Sequence, residues 1–350
     1  MALFTIARTW REELDKRSVR QFVYAIACAW AAIAIGCLIY LLEKYLLQPP
    51  RRFMESPAAV TMRACGLAHF IIGWLFLFTS SRVRNPRAAM RLGWLTLIGI
   101  GLCFFVYFLG ASSNPFVIIL FYGYFLVHEL RDQSNIYQRY GDAPGDGEKT
   151  KTFLPALRWA TITFLVAILA IGQVIHGMCI KHKEILYTIP SHWYMIGSLG
   201  IALLCALALV NVRRAAIQTY GSVDQALLKH KPLATIYGII FLTLSFGMIV
   251  GSTAFNLIIL VHAGAWLVFV SYQLANETRP ERFTLWTWLR RTPTGFIVLH
   301  ISIVGIVLSL MALRVYVWDR VGILSQLVEG SNFIYWSLLH ISMAFWKAPR

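Results

Sequence analysis

From Gln21 to Leu42 the chain carries no charged residue. A run of that length covers a bilayer core of ~30 Å as a helix, and comparable runs recur about ten times along the sequence. Charged residues make up only 14% of the 350, against roughly 25% in soluble domains, and they fall between the runs. A soluble core of buried helices would need polar faces at helical spacing, which most of these runs lack. The sequence therefore predicts an all-α, polytopic helical membrane protein with about ten transmembrane helices.

The expected spans lie at about 21–42, 62–81, 92–111, 116–128, 158–180, 193–212, 233–252, 256–275, 293–313 and 333–346. With ten spans and the N-terminus inside, 24 of the 32 Lys and Arg fall on the cytoplasmic side and eight outside. This bias predicts that the N-terminus and C-terminus are both cytoplasmic, since a miscounted span would reverse it downstream. The net charge of +16 then reflects topology and contact with anionic membrane lipids. No basic face with interleaved aromatics argues for nucleic acid as a partner.

Ahead of the first run, Leu3, Ile6, Trp10 and Leu14 share one side of a helix, which predicts an N-terminal interfacial amphipathic helix over residues 1–20. Residues 21–350 are expected to form a single transmembrane domain, with a Gly/Pro-rich cytoplasmic loop at about 129–157. The six cysteines form no CxxC pair and read as small buried hydrophobes. No cleavable signal segment is evident, and a bacterial cytoplasmic (inner) membrane is the expected location.

The expected spans contain almost no Asp, Glu, Lys or Arg, which argues against an ion-coupled permease. What they do contain is histidine. At a rise of ~1.5 Å per residue, His69, His176, His262 and His340 fall roughly 6–10 Å below the outer boundary, on four different helices. A common depth is what a site inside a helical bundle requires. Neutral imidazole is a good ligand for transition metals and tolerates low dielectric. These four are the candidate metal ligands, for non-haem iron or another transition metal. Haem ranks lower, because no span carries the histidine pair common in dihaem b-type proteins.

The stretch from Phe121 to Gln133, FYGYFLVHELRDQ, places His128, Arg131 and Asp132 at i, i+3 and i+4 near the cytoplasmic side. HELRD lacks the second histidine of HExxH, so the zinc-protease signature is not met. A solvated, ion-paired helix end is one reading of the stretch. The other is an acid–base site with His128 as base, Asp132 orienting it and His300 facing it from the same leaflet. The functional expectation is an oxidoreductase-like membrane enzyme acting on a lipophilic small-molecule substrate. The rival class is a permease, an assembly factor or a subunit of a membrane complex.

Overall fold

The computed structural model describes residues 57–109, 115–141, 147–176, 188–250, 284–316 and 326–346, together with parts of 259–274. The expected amphipathic helix at 1–20 and the first span at 21–42 lie outside the described residues. In chain order the helices are α1 (Pro57–Phe78), α2 (Pro86–Phe108), α3 (Pro115–Gly141), α4 (Gly147–His176), α5 (Ser191–Tyr220), α6 (Val223–Lys229), α7 (Lys231–Val250), α8 (Leu285–Arg291), α9 (Pro293–Tyr316) and α10 (Phe333–Ala344). A further helical stretch covers 262–267, and no strand occurs among the described residues.

Local chemistry sets several helix boundaries. Asn85 caps α2, its Oδ1 accepting from the Arg87 and Ala88 amides at 3.0 and 3.4 Å, with Pro86 at the first helical position, where its missing N–H costs nothing. Gly221, at φ 82°, ends α5 in the left-handed conformation that suits glycine. Ser222 then caps α6 by accepting from the Gln225 amide. Thr284 and Thr287 cap α8 reciprocally.

Four apolar segments among the described residues are long enough to cross a membrane: Pro86–Phe108, Lys151–Gly172, Ser191–Tyr220 and Pro293–Arg314. They mark the chain as a helical membrane protein. Their outward faces carry large apolar side chains such as Trp94, Phe104, Leu203 and Ile301.

The described residues pack as two compact units. One comprises those within 29–128 and 255–350, the other those within 129–254. In the first, Ala64, Leu67 and Phe70 of α1 pack with Val307 and Met311 of α9 and with Val328. A second cluster joins Val106 of α2, Val117 and Phe121 of α3, and Leu338 of α10. Close approach of α10 depends on glycine. A Cβ on Gly99 of α2 would stand 3.1 Å from Leu339 and Ser342. Trp346 donates from Nε1 to the Ala88 carbonyl at 2.9 Å. In the second unit the fully buried side chains include Phe153, Leu154, Leu165 and Leu169 of α4 and Leu233, Ile240 and Leu244 of α7.

The stretch expected as a cytoplasmic loop at 129–157 is helical on both sides of residues 142–146, as the end of α3 and the start of α4. Of the two readings of HELRD, the solvated helix end fails at His128 and Glu129, which are buried, whereas Arg131 and Asp132 are only half-buried. Glu129 is fully buried, and its Oε1 accepts from Gln133 Nε2 at 3.0 Å. Reading span four as ending at His128 stopped α3 where the charges begin. The backbone continues because Glu129, Gln133, Ser134 and Tyr137 are buried in a protein interior.

Candidate metal centre

The four histidines described first, and the rings around them, lie within the unit formed by 29–128 and 255–350. His69 sits on α1, among Leu67, Ala68, Phe70 and Ile72, all buried. His262 opens the 262–267 helical stretch, His128 stands midway along α3, and His340 lies in the last half of α10. All four side chains are buried, with relative exposures of 1% to 8%.

Their rings meet edge to face in a closed cycle. The centroids of His69 and His262 are 5.0 Å apart, those of His262 and His128 4.8 Å, those of His128 and His340 5.6 Å, and those of His340 and His69 4.9 Å. One ligand nitrogen from each of His69, His262 and His340 lies within 4.8 Å of the others. Metal–nitrogen bonds of about 2.0–2.1 Å put ligand nitrogens roughly 3–4 Å apart, so small ring rotations separate this arrangement from a coordination sphere.

The walls of the cycle are aromatic. Phe70 stacks on His340 with centroids 4.5 Å apart, and the Trp266 ring meets His69 at 4.6 Å. Phe125 and Phe345 lie at 5.9 Å from His262 and 6.3 Å from His128. Nδ1 of His69 is buried and has no hydrogen-bond partner among the described residues. A buried ring nitrogen with nothing to bond is costly, and a metal ion would relieve it. The donor set fits a transition metal such as iron or zinc, for which neutral imidazole is a preferred ligand.

Of the residues expected as ligands, His69, His262 and His340 are therefore brought together. His176 closes α4 in the other unit, and its side chain lies outside the described residues. His128, assigned by sequence to a separate acid–base pair near the cytoplasmic side, has its ring beside His262 and His340. Asp132 stands one turn further along α3, half-buried. His300 lies on α9, where its ring faces Trp266 at 5.6 Å and Phe296 at 4.4 Å.

Sequence reasoning missed the place of His128 because the depth estimate depended on a helix that was cut short. It missed Trp266 as well, although the i, i+4 spacing from His262 already puts both on one face. His230 was passed over. It caps α6 and is buried, with Nδ1 2.9 Å from the Tyr137 hydroxyl and Nε2 2.7 Å from that of Tyr220. Phe153 stacks on its ring. Burial, and then the nearby Lys229 charge, push its pKa down to about 4.

Comparison with protein-family models, with curated proteins and with solved structures finds no match to this chain.

Proposed function

We propose that this chain is an integral membrane enzyme in which His69, His128, His262 and His340 hold a transition metal, non-haem iron foremost, for oxidoreductase-like chemistry on a lipophilic small molecule. The closed cycle of four buried imidazoles from four helical segments carries the reading. In an apolar bundle the buried Nδ1 of His69 is costly unless something satisfies it. The sequence reading completes it: ten spans, both termini cytoplasmic, in a bacterial inner membrane, with lipids as neighbours.

A bound transition metal supplies Lewis-acid polarisation, and a redox-active one supplies one-electron chemistry. The protein's own residues contribute the rest. The four imidazoles act as neutral donors, and Phe70, Phe125, Trp266 and Phe345 exclude water around them. The apolar surroundings admit a lipid-soluble molecule more readily than a charged one.

The test is metal content per chain, measured by mass spectrometry on protein purified in mild detergent before and after incubation with iron, copper or zinc. Near-stoichiometric metal that is lost in His69→Ala, His128→Ala, His262→Ala and His340→Ala, and kept in a variant of the exposed His192, supports the site. A folded protein that takes up no metal under any of these conditions leaves the rival reading, a non-enzymatic permease, assembly factor or complex subunit.

A further inference from the structure

Nδ1 of His300 lies 3.0 Å from the carbonyl oxygen of Phe296, one turn earlier on α9. A carbonyl only accepts, so Nδ1 carries the proton, and in the neutral ring Nε2 carries the lone pair. That nitrogen is buried and has no hydrogen-bond partner among the described residues. Buried acceptors in folded proteins are met by a donor in nearly every case, from the protein, from water or from a ligand.

The surroundings narrow the choice of donor. Phe296 and Trp266 flank the His300 ring and also meet each other at 5.5 Å. Trp266 also meets His69 of the four-histidine cycle, with ring centroids 4.6 Å apart. An ordered water needs two to four polar partners, and the two rings that flank His300 are those of Phe296 and Trp266, which offer little beyond aromatic carbon and one indole N–H. A single fixed acceptor in an aromatic wall is the usual form of an orienting contact for an apolar ligand. The acceptor selects among lipophiles. An ether, ester or ketone has no hydrogen to give, a carboxylate or phosphate would meet a lone pair, and an ammonium group would pay heavily for desolvation. A hydroxyl donates at little cost.

We infer that the substrate class of the proposed centre is a lipophilic alcohol, whose hydroxyl donates to Nε2 of His300 while its apolar chain lies along Trp266. This rests on the metal-centre reading for the word substrate, and on α9 and Trp266 alone for the binding. His300 is then a substrate-positioning residue, placed one aromatic ring away from the metal-binding histidines.

The probes are farnesol and dodecan-1-ol, each against its methyl ether, added to ¹⁵N-histidine-labelled protein in lipid nanodiscs, both metal-free and metal-loaded. The lone-pair nitrogen resonance that disappears in His300→Gln is assigned to His300 Nε2. Both alcohols are expected to move it to lower chemical shift, as hydrogen bonding to that nitrogen does, and the ethers to leave it in place. Binding should favour alcohol over ether by about tenfold, a gap that closes in His300→Phe and partly persists in His300→Gln, which keeps an acceptor oxygen. No movement with either alcohol, equal movement with the ethers, or a resonance already at its hydrogen-bonded position before addition would overturn the inference. An alcohol-specific shift in protein that takes up no metal supports the alcohol site and removes the metal centre. Metal uptake without the shift does the opposite.

Discussion

The position of a Cβ on Gly73 lies 3.3 Å from Cε1 of His340. Gly73 follows His69 by one turn of α1, so the glycine leaves room for a neighbouring histidine of the same cycle. Ala is favoured over Gly in a helix interior by about 1 kcal/mol. The added methyl here would meet a ring already stacked on Phe70, and crowding of that kind costs ~1–3 kcal/mol. The net effect of Gly73→Ala on stability is thus a loss of about 0–2 kcal/mol. Metal affinity should respond more sharply, falling about 10-fold as His340 is displaced, in line with other supporting-shell changes. A chelator competition titration reads this directly, and an unchanged affinity would show that His340 is not held at this spot.

Arg290 of α8 fixes the end of the helix that carries His69. Its guanidinium donates to the Thr79 carbonyl at 2.8 Å and the Phe76 carbonyl at 3.3 Å, and it stands 5.5 Å from the Phe76 ring centre. A cation at a helix C-terminus meets both the unpaired carbonyls and the negative end of the dipole. Arg290→Ala should lower the thermal unfolding midpoint through a loss of about 1–3 kcal/mol. Arg290→Lys should recover less than half of it, because one ammonium cannot hold the same fork to two carbonyls and a ring. Full recovery by lysine would mean that charge alone matters.

His230 gives the second unit a pH dependence. Its pKa falls from 6.5 to about 4 on folding, because burial and the Lys229 charge disfavour the imidazolium, while both ring nitrogens are engaged by Tyr137 and Tyr220. The unfolded chain therefore binds a proton more readily than the folded one. The histidine's contribution is complete above pH 6.5 and is lost progressively as pH falls towards about 4. Unfolding midpoints between pH 7 and pH 4 should drop more steeply for the wild-type protein than for His230→Gln. Parallel curves for the two proteins would remove His230 as the source.

The sequence disclosed the class of fold through one physical signal, the length of its uncharged apolar runs. Pro86–Phe108 and Pro293–Arg314 needed nothing more, because lipid-facing helices are apolar all round. Helix α3 was less legible. Its second half bears Glu129, Arg131, Asp132 and Gln133, and a hydropathy pattern cannot tell a solvated end from polar residues buried in a second unit. That one boundary carried His128 out of its cycle on paper. His69, His262 and His340 were legible because a shared depth needs only the helix rise, whereas the rotation of each helix about its axis is set by packing, which no single stretch of sequence encodes. The same limit hid the approach of Trp266 to His69 and the double tie on His230.

The spacing between α3 and α10 rests on a pair of hydroxyls. Ser342 donates to the Leu338 carbonyl at 2.8 Å, which leaves its oxygen to accept from Tyr124 at 3.1 Å. Tyr124 precedes His128 by one turn, and Ser342 follows His340 by two residues, so this bond joins the two helices beside the 5.6 Å contact of those histidines. Tyr124→Phe keeps the ring against Phe345, at 5.6 Å, and removes only the donor. The expected cost is about 0.5–1.5 kcal/mol of stability, since Ser342 keeps its bond to Leu338. All four histidines remain, so metal per chain at saturation should stay unchanged while the metal dissociates several-fold faster. Stopped-flow transfer of the metal to a chromogenic chelator separates the two quantities. Should Tyr124→Phe release metal at the wild-type rate, the apolar contacts of Val117, Phe121 and Leu338 set the spacing of the histidines by themselves.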